Sequence, residues 1–117
     1  MLRKAMLPAL ALVALTAAVS AVAAPTRSAV TTVSVTMTDF KFALSRSSVP
    51  KGAVVFKLVN KGKLDHDFKI AGKRSAVVKK GATGTLRVTF LKAGRYPYLC
   101  TLPGHAPAGM KGVLVVK

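Results

Sequence analysis

The chain has 117 residues, enough for one domain with a modest core. Lys and Arg number 19 against three acids, a formal charge of +16. Such a balance says nothing about fold but predicts steering toward acidic partners or anionic surfaces. The single cysteine excludes an internal disulfide framework.

The first segment reads as a leader. Arg3 and Lys4 form a positive start, Ala5 to about Val22 is apolar apart from Pro8, Thr16 and Ser20, and Ala21-Val22-Ala23 fits a small-residue cleavage signal. A signal peptide over 1–23 is therefore expected, because a cut after Ala24 would place Pro25 directly beyond the scissile bond. The alternative is an uncleaved anchor, since the run approaches the roughly 20 apolar residues that span a bilayer. Either way the protein is expected to be exported, to the periplasm or the exterior, with membrane association if the leader is retained. Losing Arg3 and Lys4 lowers the charge from +16 to +14.

Residues 24–32 read as a flexible N-terminal segment before a domain over 33–117. Val33, Val35 and Met37 alternate with Ser34, Thr36 and Thr38, and Phe40, Phe42 and Leu44 continue the period of two past Asp39. Ser45 to Ser48 and Pro50-Lys51-Gly52 mark a loop and a turn. A strand over Ala53 to Val59 follows and ends at Asn60-Lys61-Gly62. From Asp65 to Ala71 the alternation predicts a strand with His66, Phe68 and Ile70 on the core side and Asp67 and Lys69 opposite. Leu86, Val88 and Phe90 form another strand, then Arg95 to Cys100 with Tyr96, Tyr98 and Cys100 on one face, then Val113 to Val116. The aromatic residues fall in these runs and are expected mostly in the core. With no sustained helical period, seven or eight short strands separated by turn signals predict an all-β sandwich or barrel.

The chemistry is concentrated near the end. Cys100, His105 and Met110 follow one another at intervals of five in a loop stiffened by Pro103 and Pro107 and loosened by Gly104 and Gly109. Only one other histidine exists, His66. Singly, each residue has a bland reading: a structural histidine, a small buried thiol, a turn methionine. Together they account for four of the five His, Cys and Met residues beyond the leader, with Met37 left over. Two imidazoles, one thiolate and a weak thioether are the donors of a blue-copper electron-transfer site, so one copper ion per chain is the predicted cofactor.

On these residues the segment from Val33 to Lys117 resembles the cupredoxin family of plastocyanin and azurin. The Cys-x4-His-x4-Met spacing is similar to the rusticyanin and auracyanin pattern, and Asn60-Lys61-Gly62 before His66-Asp67-Phe68 is similar to the segment with the family's first histidine. The resemblance implies a Greek-key β-sandwich with copper at one end, held by His66, Cys100 and His105 with Met110 as weak axial ligand, and cycling between Cu(II) and Cu(I). Many relatives have Asn where this chain has Asp67. A hydrogen bond from the Thr101 hydroxyl to Asp67, tying the two ligand-bearing segments together, is expected, against the alternative of a solvated acid on the outer strand face.

His105 is expected to present its ring edge within an apolar rim of Leu102, Pro103, Ala106, Pro107 and Ala108, where a redox partner with an acidic docking surface meets a monomeric carrier. A copper carrier or store is the main alternative function. Zinc is disfavoured by the thioether, an oxidase or reductase by the lack of further histidines, a dinuclear copper site by the single cysteine, and nucleic-acid binding by cations spread along an exported chain.

Overall fold

The computed structural model describes residues 5, 8–21 and 29–117. The leader's charged start, its cleavage site and most of the 24–32 segment lie outside the described residues. Residues 8–21 carry no regular secondary structure and are exposed. Among the described residues no helix is long and apolar enough to cross a membrane.

Nine strands are described: β1 (Thr31–Thr38), β2 (Lys41–Leu44), β3 (Ser48–Val49), β4 (Gly52–Asn60), β5 (Lys69–Ile70), β6 (Lys73–Arg74), β7 (Thr83–Phe90), β8 (Gly94–Leu99) and β9 (Lys111–Val116). They form a four-stranded sheet in the order β2-β1-β4-β7 and a five-stranded sheet in the order β3-β9-β8-β5-β6. The all-β expectation holds, and the higher strand number comes from the two-residue strands β3 and β6, too short to leave a readable period.

The β-branched and apolar residues at alternate positions of β1 and β4 explain their pairing. Val33 lies beside Phe56 and Val35 beside Leu58 in parallel register, all four fully buried. Each such side chain contributes roughly 1.5–3 kcal/mol by leaving water. The next pair along, Met37 beside Asn60, brings a buried amide to the end of the sheet. Phe68 fills the middle of the interior, 5.0 Å from Phe56, 5.3 Å from Phe42 and 5.4 Å from Tyr98 between ring centroids.

Two expected strand segments differ from the structure. His66, Asp67 and Phe68 are buried consecutively, so the Asp65 to Ala71 run does not alternate. Only Lys69–Ile70 is strand, while His66 is held by a single bridge to Val78. Hydrogen bonds to polar partners on both sides allow this: Asp67 and His66 find acceptors and donors inside, where a period-two reading assumes water on one face. Phe40 is the second departure. Asp39 and Phe40 form the two-residue turn between β1 and β2, which pair up to Thr38 and Lys41, and Phe40 is 39% exposed with φ 67°.

Candidate metal centre

The β8–β9 hairpin carries the donors at its tip. Leu99 pairs with Lys111 as the last rung, and immediately beyond it the Cys100 N–H donates to the Met110 carbonyl at 3.1 Å. Inside that closure the His105 N–H donates to Leu102 (3.2 Å) and the Met110 N–H to His105 (3.1 Å). Gly104 and Gly109, at φ 81° and 117°, take the left-handed conformations these successive turns need. Cys100 and Met110 are buried, and His105 is half-buried.

His66 arrives from the loop after β4. Asn60 shapes that loop: its amide donates to the carbonyls of Leu64 (2.8 Å) and Val78 (2.9 Å) and accepts from the Gly62 N–H (2.9 Å). His66 and Val78 exchange backbone hydrogen bonds at 3.1 and 2.7 Å. Among the described residues no buried side-chain nitrogen or oxygen lacks a partner.

The donor atoms converge. Nδ1 of His66 lies 3.0 Å from Nδ1 of His105, and the Cys100 Sγ lies 3.5 Å from the same His105 nitrogen. The three donors all fall within 4.8 Å of one another. Two nitrogens at that separation can both be reached by one ion at ordinary metal–nitrogen lengths of about 2.0–2.1 Å. Imidazole, thiolate and imidazole are also a set that suits copper, so the residues fit the metal expected from the sequence. Met110, the weak fourth donor expected from the sequence, is buried in the same loop.

His66 is fully buried, and its other ring nitrogen, Nε2, lies 2.9 Å from the Asp39 carboxylate. A carboxylate in this pairing accepts, which puts the proton on Nε2 and leaves the Nδ1 lone pair facing the other donors. Asp39 also accepts from the N–H groups of Lys63 and Leu64 at 3.0–3.1 Å. The Lys63 N–H, aided by His66, holds the Asp39 carboxyl below its ordinary value of 3.8. Asp65 is lowered as well, chiefly by Lys79, and accepts from the Lys80 N–H. Burial pushes the Cys100 thiol above its ordinary 9.0.

Asp67 is not a solvated acid. It is buried and accepts from the Thr101 N–H at 2.6 Å and from the Thr101 hydroxyl, linking the residues next to His66 and Cys100. Of the residues expected to form a rim, Pro103, Pro107 and Ala108 are exposed and Leu102 and Ala106 half-buried. Sequence reasoning missed Asp39 and Phe40. A signal was available for Asp39, since it is one of only three acids in a strongly basic chain and the other two flank His66.

The cupredoxin-like domain family matches residues 8–116, and the chain belongs to that family. A copper-resistant cuproprotein, CopI of Rubrivivax gelatinosus, is 30% identical over 109 residues, covering 74% of this chain and 66% of the relative. Auracyanin-B of Chloroflexus aurantiacus is 43% identical over 42 residues, 36% of this chain and 18% of the relative. The chain thus spans just under two thirds of the CopI relative and a smaller part of the auracyanin. The solved reduced auracyanin of Roseiflexus castenholzii superposes with a TM-score of 0.65 at 21% identity, covering 74% of this chain and 97% of that one. The sandwich is a cupredoxin fold.

Proposed function

We propose that this chain is an exported type 1 copper protein that carries single electrons between redox partners, with one copper ion held by His66, Cys100 and His105 and weakly by Met110. The observation that carries the reading is the convergence of His66 Nδ1, Cys100 Sγ and His105 Nδ1 in a mostly buried site. Bound copper supplies a one-electron couple between Cu(II) and Cu(I). The protein supplies a fixed frame: Asp39 orients His66, Asp67 and Thr101 tie its loop to Cys100, and the Cys100–Met110 hydrogen bond closes the donor loop. Donors held this way move little when the charge on the metal changes, and small rearrangement favours fast transfer.

His105 forms the exit to solvent. His105 is half-buried, and its loop neighbours Leu102, Pro103, Ala106, Pro107 and Ala108 are half-buried or exposed, which supports a small apolar rim suited to brief docking. The surplus of cations supports an acidic docking surface on the partner, with an anionic membrane as a further surface; nucleic acid is disfavoured, and the carrier acts as a monomer. An oxidase or reductase role needs histidines beyond His66 and His105, which this chain lacks.

Likeness to CopI, a copper-resistant cuproprotein, favours a second reading, copper handling at the same donors. The visible spectrum and voltammogram of the copper-loaded protein separate the two. An intense thiolate-to-Cu(II) band with a reversible wave is expected for the carrier of electrons, and its loss in Cys100→Ala. Tight Cu(I) binding without that band would instead establish copper handling.

A further inference from the structure

The β1–β2 turn touches both histidines. Asp39 and Phe40 are its only residues, and each meets a different ring: Asp39 Oδ1 lies 2.9 Å from His66 Nε2, while the Phe40 ring stands edge-on to His105 at 5.2 Å between centroids and 84° between planes. The turn also reaches the methionine end of the donor loop, because a Cβ on Gly109 would sit 3.6 Å from the Phe40 carbonyl oxygen. The two histidines are 39 residues apart in sequence and belong to separate loops.

The turn's backbone is strained for its sequence. A φ of 67° at the second position of a two-residue turn suits Gly or Asn, and a bulky residue there is an outlier. Burial does not explain the side chain, since Phe40 is 39% exposed. Strain that persists at a site invites a functional account, and here the strained residue places an aromatic ring against His105. Asp39 in turn is fixed by the N–H groups of Lys63 and Leu64, which belong to the His66 loop. The hairpin behind the turn is anchored through β1, an inner strand of its sheet, paired with β2 on one side and β4 on the other.

We infer that Asp39 and Phe40 act together as positioning residues, one fixing the tautomer and orientation of His66 and the other the ring plane of His105, so that the pair of nitrogens is set before metal arrives. This rests on the reading of both histidines as copper ligands. It assigns the β1–β2 turn a role that neither the ligand spacing nor the docking rim contains.

The test uses Asp39→Ala, Asp39→Asn and Phe40→Gly, followed by copper release to a chelator and by imidazole nitrogen NMR of the copper-free protein. Asp39→Ala is expected to lower copper affinity 10–100-fold, the usual effect of losing a partner behind a metal-binding histidine, and to let His66 populate both tautomers. Asp39→Asn, which keeps an acceptor, should restore the Nε2–H tautomer and most of the affinity. Phe40→Gly relieves the left-handed backbone, so its melting temperature should be unchanged or higher while copper leaves several-fold faster. A single His66 tautomer in Asp39→Ala, or wild-type copper release in Phe40→Gly, would overturn the inference. Should the wild-type protein bind no copper in either oxidation state, the copper reading fails separately, and the NMR of the copper-free variants still decides the positioning of the rings.

Discussion

Both carboxylate oxygens of Asp67 are turned to one residue, Thr101, taking its backbone N–H and its hydroxyl in the interior of the protein. Since Asp67 follows His66 and Thr101 follows Cys100, this contact ties together the two segments, 34 residues apart, that carry two of the proposed metal donors. Thr101→Val keeps the shape and removes the hydroxyl donor. Hydrogen bonds to charged groups are worth about 1.5–3 kcal/mol, and a loss of that size is expected in denaturant unfolding of the copper-free protein. Asp67→Asn should raise the midpoint potential, because a carboxylate near the thiolate favours Cu(II). Each ~1 kcal/mol of that preference corresponds to about 40 mV for a one-electron couple. An unchanged voltammogram would show that Asp67 acts on structure alone.

Gly62 is fixed by close approach. A Cβ there would fall on the Asp39 carboxylate and lie 3.0 Å from His66 Nε2. Gly62→Ala is therefore predicted to destabilise by about 1–3 kcal/mol, the usual range for overpacking, and to weaken copper binding at the same time. Thermal melts with and without copper measure both effects; a melt shift without a change in metal affinity would mean that the loop yields away from His66.

The acids and the thiol predict opposite limits in pH. Asp39 and Asp65 are held below 3.8 in the fold, so their contribution to stability is complete above that value and disappears as pH falls through the lower folded values. Cys100 is held above 9.0; its contribution is complete below that value and is lost as pH rises through the higher folded one. Copper-free protein should therefore be most stable between about pH 4 and 9. Copper affinity should rise with pH across this plateau, since coordination takes a proton from Cys100. Unfolding curves and copper titrations over the same pH series check the two trends.

Much of the site was legible because metal donors are chemically scarce. With two histidines and one cysteine in the chain, spacing alone brought Cys100, His105 and Met110 together and left His66 as the remaining nitrogen. The strands with one wet face, β1, β4 and β7, were legible for the same reason that they are stable: burial on one side only leaves a period of two. That period fails at His66-Asp67-Phe68, where hydrogen bonding lets polar residues go inward, and at Phe40, where a turn interrupts the alternation without changing it. Asp39 was hidden because its partner, His66, is 27 residues away, and nothing local marks such a pairing.

The proposed association with an acidic redox partner should weaken with salt. Among the described residues only Lys79 forms an ion pair with an acid by its own side chain, to Asp65 at 3.1 Å. The other cations act at long range, and the Debye length shrinks from about 10 Å at 0.1 M to 3 Å at 1 M. Stopped-flow transfer to an anionic cytochrome-type acceptor and to a cationic one should show opposite salt dependence. Equal, salt-independent rates would remove the electrostatic contribution.

All three acids of the chain, Asp39, Asp65 and Asp67, are committed to the segment around His66. The body of the protein consequently has almost nothing to titrate in mildly acidic media. Protonating every carboxyl side chain would change a formal charge of +16 by three, whereas an ordinary domain with balanced acids and bases swings widely over the same range. The cationic exterior is thus nearly invariant to external acidity, and the acid response of the molecule is confined to the end that carries His66, Cys100 and His105.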